Sequence, residues 1–357
     1  MAAKRFRCAV LGATGVAGQQ FIEACAGHPW FEITGLYASE KSAGKRYSEA
    51  AAWHQDGDMD PKIAAMVVKD VAQIGDGLKN YDIIFSALPG EIAREVEEKC
   101  AKEKPVISTT SAFRYDEDVP ILIPEVNASH APLVEKQKER GWKGFVVPGP
   151  NCTTVGFAIS LKPIYDEFGI RNVFMTSMQA LSGAGYPGVP SLDIIDNIIP
   201  YIAKEEDKVN KETVKILGAL KGRDVKNAAF AVSCTCTRAN VREGHMETVF
   251  VETEKACAPD DYRAAIKRFN EKFQREFGDL PSAPKESILV RMEDNRPQPR
   301  RDRDAGGGMA TTVGRIRKDE VFRNGIKYVV LSHNTRKGAA KGEILVAEYL
   351  VKKGIIK

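Results

Sequence analysis

A strand-like run, CAVLG, leads directly into Gly12-Ala13-Thr14-Gly15-Val16-Ala17-Gly18, and that order commits the first part of the chain to a parallel α/β layer. Glycines in a turn that opens a helix let the backbone approach a pyrophosphate, whose charge settles on free N–H groups at the helix start. Gly12, Thr14, Gly15 and Val16 are therefore the candidate phosphate-loop residues. A helix is expected from about Val16 to Ala26, then strands at FEITGLYA, IIFSAL and PVIST, with a helix near Ile92 to Cys100. Such alternation builds a doubly wound parallel sheet. A ligand-free tight turn is the plain reading of a glycine motif alone; the strand before it, the helix after it and the second strand beyond favour a dinucleotide. At the end of that second strand an NAD site places an acidic residue on the ribose 2′-hydroxyl. Here stand Ser39, Lys41, Ser42 and Lys45, with Glu40 among them. Hydroxyls and cations suit a 2′-phosphate, so the expected cofactor is NADP.

Beyond Pro150 the pattern changes to β-branched and aromatic alternation, with AAFAVSCTC, METVFVE, SILV, TTVGRI and IKYVVLSH reading as strands of one mainly antiparallel sheet. The run GAAKGEILVAEYLVKK from Gly338 reads as a terminal helix that packs back on the first layer. Residues 294–309, DNRPQPRRDRDAGGGM, read as a surface loop. A chain of 357 residues is too long for one core, so the expected division is 1–150 for the nucleotide domain, completed by 336–357, and 151–335 for a catalytic and oligomerisation domain. The net charge of +4 is scattered along the chain, which gives little support to a nucleic-acid or membrane partner and suits a small anionic substrate. No apolar run approaches a membrane span, and seven scattered cysteines in an intracellular-looking chain argue against a disulfide framework. The expected location is cytoplasmic. Cys234 and Cys236 read as a structural strand pair, and no metal site is expected.

The segment FVVPGPNCTTVGF places Cys152 after a strand and a Gly-Pro turn, at the start of a helix. The positive end of a helix stabilises a thiolate, which is a nucleophile's environment, whereas a free cysteine elsewhere is more often a small core residue. Asn151 could offer an amide to an oxyanion formed when the thiolate adds to a carbonyl. Downstream, Arg238 and His245 flank a short turn containing Glu243-Gly244. If the two flanking strands form a hairpin, both side chains face one pocket. Among the five histidines His245 is the best base candidate; His28, His54 and His130 lie in polar contexts that read as solvated surface.

Taken together, GATGVAG, NCTT, MQALSGAGYPGVPSLD, DNIIPYIAKEEDKVNKET, the Arg238–His245 segment, DNRPQPRRDRD and LSHNT resemble the aspartate-semialdehyde dehydrogenase family, in its fungal and archaeal branch, over nearly the whole chain. The resemblance implies a Rossmann-type doubly wound N-terminal domain and an α+β catalytic and dimerisation domain. It also implies NADP-dependent, reversible reductive dephosphorylation of L-4-aspartyl phosphate to L-aspartate 4-semialdehyde, on the way to lysine, methionine and threonine. Under it, Cys152 is the nucleophile, His245 the acid/base and Gln179 a group that orients the reacting carbonyl. Arg238 forks onto the substrate α-carboxylate, a geometry that a guanidinium supports and an ammonium does not. Glu205 recognises the α-amino group, Lys208 is a cation on the phosphate side and Arg114 binds phosphate. Ser182, Gly183 and Asn334 fall where the family meets the cofactor. Inorganic phosphate is a co-substrate, and a homodimer or homotetramer is expected.

Two other readings compete. A malonyl-CoA or succinyl-CoA reductase of the same fold family uses a similar cysteine and NADPH, yet the run Glu205-Glu206-Asp207-Lys208 suits a substrate bearing an amino group. A non-catalytic NADP-binding regulator, with Cys152 as a core or redox residue, leaves Arg238, Glu205 and Lys208 without a shared purpose.

Overall fold

A computed structural model describes residues 5–357. Six parallel strands, β1 (Phe6–Leu11), β2 (Phe31–Ala38), β3 (Lys69–Asp70), β4 (Ile83–Ser86), β5 (Pro105–Ser108) and β6 (Phe145–Pro148), form a sheet in the order β3-β2-β1-β4-β5-β6. Strands β1, β4, β5 and β6 are short, almost continuously buried apolar runs, as the covered centre of a parallel sheet requires, while β2 alternates in its first half and β3 at the edge is Lys-Asp. The order reverses direction between β1 and β4, which opens a crevice at the carboxyl ends of the strands. Helix α1 (Val16–Cys25) follows β1 and helix α2 (Gly90–Ala101) follows β4, close to the expected limits. Gly12 makes the turn into α1 at φ +74°, and a Cβ there would meet the Ala87 carbonyl oxygen at 2.3 Å, so only glycine fits.

The second sheet has seven strands: β7 (Ile170–Gln179), β8 (Ile198–Ile199), β11 (Ala231–Ala239), β12 (His245–Thr253), β13 (Ile288–Arg291), β14 (Thr311–Lys318) and β15 (Gly325–Ser332). A small hairpin of β9 (Ala219–Lys221) and β10 (Asp224–Lys226) stands apart. The sheet order is β13-β14-β15-β12-β7-β11-β8, and its pairs are antiparallel except β13 with β14 and β7 with β11. Helix α3 (Cys152–Phe168) lies on one face of this sheet, with Val155, Phe157, Ile159 and Leu161 sharing a core with Val173, Met175, Val249 and Val330. Helix α4 (Glu205–Ile216) joins the same core through Val209 and Ile216, as does α5 (Pro259–Phe277) through Tyr262 and Ile266.

The terminal helix α6 (Ala340–Lys352) packs on the first sheet's side, its Ile344, Leu345 and Leu350 buried in one cluster with Phe21, Phe31 and Phe85. His28 and Glu348 tie this return together: His28 Nε2 lies 2.7 Å from Glu348 Oε1, and both side chains are buried. His28 is thus not the solvated residue that its polar neighbours suggested. Nor is His130, which sits in the interior against the Gly218 carbonyl at 3.0 Å and Asn127 at 3.2 Å. Both cases have one cause, since long-range packing buries what local composition exposes.

Residues 294–309 are more ordered than a surface loop. They contain helical turns at Pro299–Asp302 and Ala305–Gly308, and the buried Asp302 carboxylate accepts from Arg291 Nε at 3.0 Å and Arg296 Nε at 2.7 Å. Burial alone would raise the Asp302 carboxyl, but the Arg296 hydrogen bonds and the Gln298 N–H outweigh it and hold it below the usual carboxylate range. No helix among the described residues is long and apolar enough to cross a membrane.

Candidate active site

Cys152 begins α3, and the residue before it caps the helix. Asn151 Oδ1 accepts the N–H groups of Thr153 at 2.9 Å and Thr154 at 3.3 Å, while its Nδ2 donates to Glu205 Oε1 at 2.9 Å. The oxygen is spent on the helix start and one of the two Nδ2 hydrogens on Glu205. Asn151 therefore shapes the nucleophile's turn, with one amide N–H still available for the oxyanion role expected of it. Its own N–H donates to Glu212 Oε2 at 2.6 Å. Glu205 and Glu212, two helical turns apart on α4, so grip the backbone and the side chain of the residue that presents Cys152.

His245 Nε2 lies 3.2 Å from Cys152 Sγ, and His245 Nδ1 accepts the Ala180 N–H at 3.0 Å. Because a backbone N–H can only donate, the neutral ring keeps its proton on Nε2, facing the sulfur. An imidazolium would turn Nδ1 into a second donor against Ala180. Burial, with the charge of Arg238 and of His333, pushes His245 down to about 3, in agreement with that geometry. The thiol moves the other way: burial first, then the Glu205 carboxylate, pushes Cys152 up to about 12, against Arg114, Arg238 and the Thr153 N–H, which lower it. Burial and the Glu205 carboxylate thus oppose the lowering that the helix start by itself would give. The resting pair is a thiol beside a neutral imidazole.

Arg238 and His245 do meet, but not across a hairpin. β11 and β12 are both hydrogen-bonded to β7, which runs between them, so Arg238 stands beside Gln179 and His245 beside Ser332. The two converge beneath Gly183, where a Cβ would fall 2.9 Å from Arg238 Nη1 and 3.0 Å from His245 Cε1. Arg238 is buried, with Nη1 donating to the Ala180 carbonyl at 2.7 Å. Gln179 is buried too and donates from Nε2 to Ser177 Oγ at 3.2 Å, behind the cavity wall.

A cavity of about 590 Å³ opens over Cys152 and is walled by Arg238, Glu205, Lys208, Arg114, Ser182, Gly183 and Asn334. It gathers most of the residues singled out in the sequence. Lys208 Nζ lies 3.6 Å from Glu205 Oε2, on the one-third exposed side. Arg114 donates from Nε to the Gly149 carbonyl at 2.7 Å, from Nη2 to Thr109 at 3.1 Å and from Nη1 to Glu212 at 3.1 Å, which leaves two of its five N–H groups for a ligand. Asn334 joins three segments: Oδ1 accepts the Gly244 N–H and Nδ2 donates to Ser182 Oγ, each at 2.8 Å. Glu212 and Glu343 were missed in the sequence; for Glu212 the seven-residue spacing from Glu205 was the available signal, because it puts both on one helix face.

An adjoining cavity of about 980 Å³ runs along the crevice of the first sheet, lined by Gly12, Thr14, Gly15, Val16 and Ser39, and by Ala184, Gly185 and Tyr186 from the loop after β7. Val16 and Ala17 belong to both cavities. The glycine cradle and the path from it to Cys152 fit a dinucleotide with its nicotinamide end near the sulfur. Lys41 and Ser42 continue the exposed turn beyond Ser39, outside the cavity wall. Among the described residues no three His, Cys, Asp or Glu side chains cluster as a metal site would need.

Residues 7–133 match the family described as "Semialdehyde dehydrogenase, NAD binding domain", and residues 161–337 match "Semialdehyde dehydrogenase, dimerisation domain". The chain is 50% identical over 356 residues to the aspartate-semialdehyde dehydrogenase of Archaeoglobus fulgidus, covering 99% of this chain and 100% of the other. It is 40% identical over 362 residues to the malonyl CoA reductase (NADP) of Metallosphaera sedula, covering 99% of each. The crystal structure of aspartate semialdehyde dehydrogenase with NADP from Candida albicans superposes with a TM-score of 0.87 at 37% identity, over 99% of this chain and 100% of that one. With full-length identity of this order, a TM-score of 0.87 to that structure and a cysteine–histidine pair at the first cavity, the chain belongs to the aspartate-semialdehyde dehydrogenase family.

Proposed function

We propose that this chain catalyses the NADP-dependent, reversible conversion of L-4-aspartyl phosphate to L-aspartate 4-semialdehyde and inorganic phosphate, in the route to lysine, methionine and threonine. The observation that carries the reading is the 3.2 Å contact of Cys152 Sγ with His245 Nε2 in a cavity that also holds Arg238, Glu205 and Lys208. In the biosynthetic direction the Cys152 sulfur attacks the acyl carbon, its S–H proton passes to the departing phosphate oxygen as the C–O bond to phosphate breaks, and the acyl group stays on sulfur as a thioester. NADPH, when bound, supplies the hydride that takes this thioester to the aldehyde level. His245 Nε2–H faces the sulfur and stabilises the anion there, both as it attacks and as it leaves. Arg238 holds the α-carboxylate, Glu205 the α-ammonium, and Lys208 with the spare N–H groups of Arg114 the phosphate. Gln179 supports the catalytic row from behind through Ser177. Ser182, Gly183 and Asn334 form the nicotinamide side, and Gly12, Thr14, Gly15 and Val16 the pyrophosphate side, with Ser39, Lys41 and Ser42 toward the 2′-phosphate.

An ammonium bound at Glu205 cancels the charge that raises the Cys152 thiol, so the substrate itself favours the thiolate. Residues 1–150 with 336–357 act as the nucleotide domain and 151–335 as the catalytic and pairing domain. Phe174 and Phe250, 48% and 36% exposed on the outer face of the second sheet, support a homodimer or homotetramer built on that face. All seven cysteines are unpaired, which suits the reducing cytoplasm.

The test is phosphate-dependent NADP reduction with L-aspartate 4-semialdehyde, run beside CoA-dependent reduction with malonate or succinate semialdehyde, for wild type and Cys152→Ala. Activity needing both phosphate and Cys152 is expected. Activity with CoA alone would move the chain to the reductases, and silence in both arms would leave a nucleotide-binding regulator.

A further inference from the structure

Glu343, in the first turn of α6, is an acid that the reaction above does not use. It lines the cavity over Cys152, is 4% exposed, and its Oε2 is buried with no hydrogen-bond partner among the described residues. The carboxyl lies flat against the backbone that leads into the nucleophile's turn: a Cβ on Gly149 would fall 1.6 Å from Oε1. On the same wall are Val16, Ala17 and Gln20 of α1, and Gly338, whose own Cβ would stand 3.0 Å from that of Cys152. Glu343 thus occupies the point where the cofactor helix, the turn before Cys152 and the segment after β15 converge.

A buried acid without a partner is costly unless a ligand completes it. Burial holds its carboxyl well above the usual carboxylate range, opposed by the charges of Arg114 and Lys337. In the neutral form it offers one O–H donor and one C=O acceptor. Asn334, an amide on this wall, spends its oxygen on Gly244 and one N–H on Ser182. Glu343 in its neutral form has both kinds of hydrogen bond to give, at the place where α1, the turn before Cys152 and the segment after β15 meet.

We propose that Glu343 recognises the carboxamide of the NADP nicotinamide, donating to the amide oxygen and accepting from the amide N–H. A neutral carboxylic acid and a primary amide are complementary at both positions, whereas an apolar residue there could satisfy neither. The inference rests on the NADP reading of the site and adds to it the residue that tells the nicotinamide from rings lacking the amide.

The experiment is calorimetric titration of NADP and of its 3-acetylpyridine analogue, which keeps the carbonyl but lacks the amide N–H groups. Wild type, Glu343→Ala and Glu343→Gln are compared, with no second substrate present. Wild type is expected to bind NADP about tenfold more tightly than the analogue. Glu343→Ala should bind NADP about tenfold more weakly than wild type and treat the two cofactors alike within about twofold, while Glu343→Gln, which also donates and accepts, keeps the preference. The KM for aspartate semialdehyde should stay within about twofold in both variants. An alanine variant that retains the wild-type preference overturns the inference. So does wild type binding NADP tightly with no preference, a result that needs no variant to fold. Wild type that binds neither cofactor overturns the NADP reading, and this inference with it.

Discussion

His245 Nε2 stands 3.2 Å from Cys152 Sγ while its Nδ1 accepts the Ala180 N–H, so the ring presents a fixed proton to the sulfur. Cys152→Ala should abolish semialdehyde oxidation. His245→Ala, which removes the donor facing that sulfur, should lower kcat by about 10² to 10³. Steady-state rates, with thermal melts confirming that both variants fold, check this; a His245→Ala enzyme within fivefold of wild type would remove the histidine from the chemistry.

Glu205 is the carboxylate that raises the Cys152 thiol, second only to burial. A negative neighbour disfavours the thiolate, so Glu205→Gln should move the thiol's titration to lower pH. The rate of Cys152 alkylation by iodoacetamide, followed across pH by peptide mass spectrometry, reads this directly. The midpoint is expected to fall in the variant, and to fall also in wild type when an amino-bearing substrate analogue is bound. An unmoved midpoint would detach Glu205 from the nucleophile.

Arg238 reaches the cavity as a planar fork, with Nη1 anchored on the Ala180 carbonyl. Arg238→Lys keeps the charge and loses the bidentate grip on a carboxylate. The KM for aspartate semialdehyde should rise by about 30- to 100-fold, the worth of one to two charge-assisted hydrogen bonds, with cofactor affinity unchanged. Initial rates against both substrates separate the two effects.

Glu348 accepts from Ser282 N–H at 3.0 Å and pairs with His28 at 2.7 Å, deep under α6. Glu348→Ala leaves a buried donor pair unmet and should cost about 3 kcal/mol of stability. Urea unfolding measures it, and a loss under about 1 kcal/mol would mean that the return of α6 does not depend on this contact.

Much of this architecture was legible before any coordinates. The CAVLG run and the glycine turn announce β1 and α1, and the helix opening at Cys152 follows from the Gly-Pro turn before it. These are local effects of backbone preference and capping, acting over a few residues. The pairing of β11 and β12 was read wrongly for the complementary reason. A turn between two strands suggests a hairpin, yet β7 inserts between them, because residues 170–179 bury their alternate face under α3 only from that central place.

By itself, the sequence determined the parallel first sheet, the nucleotide turn, the thiol at a helix start and the residues that carry the family pattern. Only the tertiary structure decided what those residues are free to do. It tied the Asn151 amide to Glu205 and the helix N–H groups, fixed the His245 proton on Nε2 through Ala180, and left Glu343 Oε2 without a hydrogen-bond partner among the described residues. The reason is physical: hydrogen-bond satisfaction and burial are set by groups dozens to hundreds of residues away, and no local pattern records which of them will be near.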